Sequence, residues 1–127
     1  MLIATWIVTG ILAAFNLLAG AGKAFTPWKQ LSQKMPWTQS TGKGLAYLAA
    51  WAEIVGAIGA IVPLILAHTI AEWEWAGAVS FAAVVGLTLI QVLAIGVHVA
   101  RKEFSGLVVN VVLLLLGVAS AVLIALS

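Results

Sequence analysis

Residues 45–67 read LAYLAAWAEIVGAIGAIVPLILA, an apolar run of 23 residues. Its single charged residue is Glu53. An apolar run of this length matches the roughly 20 residues that a helix needs to cross the ~30 Å hydrocarbon core of a bilayer. Because lipid offers the backbone no hydrogen-bond partners, such a run must be helical to satisfy its own N–H and C=O groups. The stretch therefore predicts a transmembrane helix with one acid near its middle.

Three further apolar stretches lie on either side of it, at 2–22, 75–97 and 107–126. The chain has 127 residues, of which 64% are hydrophobic and only 8% are charged. Water-soluble domains carry about 25% charged residues, so a surface this poor in charge indicates that lipid is the solvent. We predict an all-α integral membrane protein, a single domain over residues 1–127 in which four antiparallel helices form a bundle.

The composition also excludes several kinds of chemistry. The chain contains no cysteine, which rules out disulfide exchange, thiolate nucleophiles and iron–sulfur ligation. Its net charge of +2 is too small to indicate nucleic-acid binding. No metal-ligand spacing, phosphate-binding glycine loop or nucleophile triad occurs in the sequence. We therefore expect no metal site, no covalently bound cofactor and no nucleic-acid partner.

Lysine and arginine are distributed unequally among the three polar segments between the spans. The first segment carries Lys23, Lys29, Lys34 and Lys43, the second carries neither residue type, and the third carries Arg101 and Lys102. Because basic loops stay on the cytoplasmic side, we predict that loops one and three are cytoplasmic and that both termini lie outside, in a cell (inner) membrane. Tryptophans are typical of membrane interfaces, and this orientation assigns Trp28 and Trp37 to one interface and Trp6, Trp73 and Trp75 to the other.

The first loop has a pattern of its own. Phe25, Trp28, Leu31 and Met35 are spaced roughly as one face of a helix. Pro27 stands where such a helix would begin, and Pro36 where it would end. The pattern fits either a short amphipathic helix on the cytoplasmic surface or a loop with aromatic anchors.

Each predicted span carries its few polar residues on one face, since a helix turns about 100° per residue. These residues are Thr5, Thr9, Asn16 and Lys23 on the first span, Ser80, Gln91 and His98 on the third, and Asn110 with Gly117 on the fourth. On the second span, Glu53 lies within a stripe of small residues, namely Ala46, Ala49, Gly56, Ala57 and Ala60. The remaining faces are apolar and can meet lipid, so the polar and small faces should point inward.

In the predicted orientation, the larger polar side chains of all four spans fall in the cytoplasmic half. They are Asn16, Lys23, Glu53, Gln91, His98 and Asn110, hereafter the six candidate residues. An acid near the middle of a membrane is usually functional, so we take these residues as candidates for ligand binding or proton exchange. The structural alternative makes Glu53 and the amides struts between helices, and makes Lys23 and His98 interfacial residues.

Three segments resemble motifs of the DoxX-like family of membrane proteins. They are EIVGAIGAIVP at 53–63, AGKAF at 21–25 and HVARKE at 98–103. The resemblance implies a four-helix membrane fold and would place Lys23, Glu53 and His98 in a shared site. It also implies a redox connection, because some members are membrane subunits of quinone-linked oxidoreductases, such as thiosulfate:quinone oxidoreductase.

Three functions are compatible with these features. The leading hypothesis is a membrane subunit of a redox-linked system that binds a lipophilic molecule, such as a quinone, in a polar pocket. Glu53 and His98 would then hydrogen-bond or exchange protons with its head group, and a protein partner would supply electrons. The alternative is a non-catalytic accessory or assembly subunit of a larger membrane complex. A small proton-coupled transporter is the third, and whether the chain is an enzyme stays open.

Overall fold

Four long helices in the computed structural model correspond to the four predicted spans. The structure describes residues 2–35, 42–70, 72–102, 104 and 107–126. Over these residues all regular structure is helical, in the order α1 (Leu2–Ala24), α2 (Trp28–Lys34), α3 (Lys43–Thr69), α4 (Ala76–Ala100) and α5 (Leu107–Leu126). By length and composition, α1, α3, α4 and α5 can each cross a membrane. The prediction of an all-helical, multi-pass membrane protein is therefore confirmed.

The helices extend past the predicted apolar spans. Helix α1 continues two residues beyond Gly22, and α3 runs from Lys43 to Thr69, two residues further at each end than predicted. Helix α4 continues to Ala100. Hydropathy marks only the apolar part of a helix, whereas its backbone hydrogen bonds continue into the polar flanks. Consequently Lys43, which was predicted in the first loop, lies in the first turn of α3, and His68, one residue past the predicted span, lies in its last turn.

The four long helices close a ring of contacts. Helix α1 packs against α3 and α5, and α4 packs against the same two helices. The apolar core inside the ring consists of Leu12, Ala60, Leu64, Val84, Leu87, Leu113 and Ile124. Many large aliphatic side chains on the opposite faces are exposed, for example Leu18, Leu93 and Val108. An exposed apolar surface of this extent fits a lipid environment and not water.

The faces that were expected to point inward are buried. Thr5, Thr9, Asn16 and Ser80 are fully buried, and Glu53 and Gln91 are nearly so. Within the small-residue stripe of α3, Ala46, Ala57 and Ala60 are buried, whereas Ala49 and Gly56 are half-buried. Small side chains on these faces let neighbouring helix backbones approach closely.

A buried hydrogen bond between Thr9 and Ser120 joins α1 to α5. The two hydroxyl oxygens are 2.5 Å apart. Ser120 was not among the residues predicted to point inward, although it lies three residues after Gly117 and therefore near the predicted inner face of α5. The Ser80 hydroxyl similarly donates to the backbone oxygen of Ala60, which joins α4 to α3.

Replacing Thr9 by valine is expected to destabilise the protein by about 0.6 kcal/mol, and by at most about 1.7 kcal/mol, the range measured for side-chain hydrogen bonds inside membranes. Valine keeps the shape of threonine and removes only the hydroxyl. A double-mutant cycle with Ser120→Ala, measured by unfolding in detergent, should give a coupling free energy of the same size. Additive single effects would show that this bond contributes nothing.

The first loop contains a short helix, so the helical form of the prediction is correct. Helix α2 begins after Pro27 and buries Leu31, while Met35 is half-buried just beyond its end. Phe25 was predicted on the same face, and this part of the prediction is wrong. The chain turns between α1 and α2, which leaves Phe25 exposed and edge-on to Trp51, with ring centroids 5.7 Å apart. Pro36 and Trp37 lie outside the described residues.

Candidate functional site

Helices α1 and α3 pack tightly against each other at Gly20. A Cβ atom at this position would lie 2.7 Å from the backbone oxygen of Ala50, 2.9 Å from the side chain of Ile54 and 3.1 Å from the Cβ of Glu53. Because glycine has no side chain, the α3 backbone can pack directly against α1. This close approach brings Glu53 beside the last turn of α1.

Glu53 forms a buried ion pair with Lys23. The Lys23 ammonium donates a hydrogen bond to Oε1 of Glu53, and the two side chains are only 14% and 4% exposed. Lys23 lies in the last turn of α1, where the negative end of the helix dipole stabilises a cation. Charges this deeply buried require a partner. The structure thus brings together two of the six candidate residues, and each neutralises the other.

Two further candidate residues form a buried amide pair. The Asn16 side-chain nitrogen donates to the backbone oxygen of Leu12 at 2.8 Å. The Gln91 side-chain nitrogen reaches the side-chain oxygen of Asn16 at 3.5 Å, which is a long hydrogen bond. Gln91 is 3% exposed, and its Oε1 is buried with no hydrogen-bond partner in the part of the chain that the structure describes. A buried amide oxygen in this state can accept a hydrogen bond from a ligand or a water molecule.

Tyr47 lies near the N-terminal end of α3 and was not among the residues predicted for the site. Its hydroxyl donates to the backbone oxygen of Thr26 at 2.5 Å, in the segment between α1 and α2. Its ring lies 6.3 Å from that of Trp28, centroid to centroid. The available signal was that Tyr47, the chain's one tyrosine, stands near the basic end of a predicted span. Tyr47 fixes the segment that follows Lys23.

His98 and Asn110 lie at the ends of their helices. His98 is in the last turn of α4, seven residues beyond Gln91, and Asn110 is in the first turn of α5. Both are half-buried. They flank the segment that connects α4 to α5, and their part in a common site stays a prediction. Over the described residues, no group of three or more histidine, aspartate and glutamate side chains could hold a metal ion.

A separate groove of about 350 Å³ lies between α4 and α5. Its lining consists of Phe81, Val85, Thr88, Leu89, Val118, Ala121, Val122 and Ala125. The groove is apolar apart from Thr88 and contains none of the six candidate residues. The groove therefore belongs to the apolar surface of the ring and is separate from the ion pair and the amide pair.

Comparison with known proteins agrees with the motifs described above. No curated protein and no solved structure matches the chain. The sequence model of the DoxX-like family matches residues 7–120. That range includes all six candidate residues and most of each long helix. The chain therefore belongs to the DoxX-like family.

Proposed function

We propose that the chain is the membrane subunit of a redox-linked system and that it binds a quinone-like molecule in a polar pocket between its helices. The observation that carries this proposal is the Lys23–Glu53 ion pair, buried within helices that can span a membrane. Ionised residues at such positions are expensive to bury and usually mark substrate or proton sites. The buried amide pair of Asn16 and Gln91 adds polar side chains to which a head group could hydrogen-bond.

The contacts between α3 and α4 support a single pocket. A Cβ at Gly59 would lie 3.2 Å from Ala83, and one at Gly56 would lie 2.6 Å from Leu87. The contact that lies later in α4 thus lies earlier in α3, which supports antiparallel packing of the two helices. One more turn along α4 leads to Gln91, and one more turn back along α3 leads to Glu53. We infer that these two side chains lie at the same level.

The contacts between α4 and α5 extend this inference to Asn110. Gly117 faces Thr88, because a Cβ at Gly117 would lie 3.2 Å from the Thr88 Cβ. Asn110 lies seven residues, about two turns, before Gly117. In antiparallel packing, Asn110 then reaches the level of α4 between Gln91 and His98. All four long helices would contribute to the pocket.

We further propose that this pocket lies in the cytoplasmic half of an inner-membrane bundle whose two termini face outward. The excess of lysine and arginine in the first and third loops supports this orientation. Lys23 and His98 both lie in last turns, next to those loops. Protons for the bound molecule would then come from the cytoplasm.

In this pocket each side chain has a defined role. The Lys23 ammonium, a donor only, would hydrogen-bond an oxygen of the head group. Glu53 and His98 would exchange protons with it, as general acid–base groups do. A quinone, when bound, supplies the redox chemistry by accepting electrons and protons. A protein partner would deliver the electrons, since the sequence contains no cysteine and no motif for a redox cofactor.

One observation favours a second function, that of an accessory or assembly subunit. Lys23 and Glu53 already neutralise each other, so both charges are satisfied without a ligand. In this role the ion pair and the amide pair would be struts that hold α1, α3 and α4 together. Such a subunit would occur in fixed stoichiometry with a larger membrane complex and would have no turnover.

Purification from the native membrane in mild detergent distinguishes these functions. We expect quinone to co-purify with the protein and to fall at least about tenfold in Glu53→Gln, which corresponds to one lost hydrogen bond to a charged group. Mass spectrometry of the extracted lipids measures it. The matched control is Glu74→Gln, the same change at an exposed acid, which should retain quinone.

Two other outcomes would contradict the proposal. A stoichiometric host complex that carries no quinone in the wild type would establish the accessory role. If neither quinone nor a host complex co-purifies, proton-coupled efflux becomes the function to test, again with Glu53→Gln as the inactive variant.

A further inference from the structure

We propose that the pocket recognises its ligand through a hydroxyl group that donates to Oε1 of Gln91. The site would therefore bind the hydroquinone form in preference to the quinone form. This inference rests on the proposed function and adds a preference for one redox state. It starts from the buried amide oxygen of Gln91, which has no hydrogen-bond partner over the described residues.

The direction of the hydrogen bonds determines which side-chain atom of Gln91 lacks a hydrogen-bond partner over the described residues. A backbone carbonyl can only accept, so Asn16 must turn its side-chain nitrogen towards the oxygen of Leu12. The side-chain oxygen of Asn16 then faces Gln91 and requires a donor there. Gln91 meets this requirement with Nε2. The Oε1 atom of Gln91 is consequently left without a hydrogen-bond donor, and this oxygen can only accept.

The burial of Gln91 makes its Oε1 atom selective for a ligand that carries a hydrogen-bond donor. At 3% exposure, Gln91 cannot satisfy Oε1 from bulk solvent. A ligand that brings a donor removes the penalty of an unsatisfied buried acceptor, whereas one that brings another acceptor places two oxygens against each other. Sites of this kind discriminate between partners that differ by one hydrogen-bonding group.

The two redox states of a quinone differ in this group. A quinone has two carbonyl oxygens and no donor on its head, whereas a hydroquinone has two hydroxyls. One hydrogen bond predicts about tenfold tighter binding of the hydroquinone. Tighter binding of the reduced form makes the bound couple more oxidising, and for two electrons a tenfold preference corresponds to about 30 mV. The pocket would thus favour reduction of its ligand.

The test compares three probes on the wild-type protein in lipid nanodiscs under anaerobic conditions. The probes are duroquinone, durohydroquinone and the dimethyl ether of durohydroquinone. Equilibrium dialysis against empty nanodiscs corrects for partition into lipid. We expect durohydroquinone to bind about tenfold more tightly than the other two. Neither duroquinone nor the dimethyl ether has a donor, and they are respectively smaller and larger than durohydroquinone. If both bind equally weakly, the preference depends on the donor and not on the size of the ligand.

The variant Gln91→Met removes the acceptor and keeps a similar side-chain length. It should reduce the preference to about equal affinity for durohydroquinone and duroquinone, while Gln33→Met, at an exposed glutamine of α2, should keep it. Equal binding of both forms by the wild type would overturn this inference alone and would be expected if a water molecule satisfies Gln91. Binding of neither form would overturn the proposed function as well.

Discussion

Replacing Lys23 by methionine is expected to destabilise the protein by about 3–5 kcal/mol, the usual consequence of leaving a buried charge without its partner. Methionine keeps most of the apolar stem of lysine, so packing changes little. What changes is Glu53, whose 4% exposed side chain loses the ammonium group that donates to it. Unfolding in detergent, followed by the loss of helical circular dichroism, measures the effect.

The neutralised double variant separates charge from packing. In Lys23→Met/Glu53→Gln no buried charge is left alone, so most of the lost stability should return. Glu53→Gln alone should be milder than Lys23→Met, since the long lysine side chain can extend towards water. Lys29→Met, at an exposed lysine of α2, is the control and should change stability by less than about 0.5 kcal/mol. A loss below about 1 kcal/mol in Lys23→Met would show that Glu53 does not depend on Lys23 as its partner.

The helices and their buried faces could be predicted because both depend on the local sequence of each span. Length and apolar composition determine where a span lies. The angular position of a rare polar residue then determines which face turns inward. Thr5, Thr9 and Asn16 were placed on one face in this way, and all three are fully buried. Helix ends were less accurate, because a polar flank continues the helix without any apolar signal.

The pairing of side chains across helices could not be predicted from these faces. The sequence grouped Glu53 with both Lys23 and His98 in one site and did not show which of them it contacts. The choice depends on how α3 packs against α1, and the close contact of Gly20 with the backbone of Ala50 lies beside Glu53. The open oxygen of Gln91 is likewise invisible in the sequence, because it follows from the direction of a hydrogen bond on another helix.

Replacing Gly20 by alanine is expected to destabilise the protein by about 1–3 kcal/mol, as overpacking does. The new Cβ would lie 2.7 Å from a backbone oxygen of α3, and a backbone atom cannot rotate away as a side-chain end can. Helix α3 must therefore move as a unit. Thermal unfolding in detergent measures the loss.

The same change at Gly10 or Gly22 of α1 is the matched control. Nothing lies within 4 Å of a Cβ built at either position. Alanine there should be neutral or stabilise α1 by up to about 1 kcal/mol through its higher helix propensity. If all three variants behave alike, the close approach of α1 and α3 does not determine stability.

The Gly20 variant also tests whether this contact determines the ion pair. When α3 moves away from α1, Glu53 moves away from Lys23, so part of the destabilisation in Gly20→Ala is the loss of that pair. Gly20→Ala and Lys23→Met should then be less than additive, because both remove the same interaction. Full additivity would mean that the long lysine side chain follows Glu53 and re-forms the pair. The ion pair would in that case depend on the two charges alone and not on the packing at Gly20.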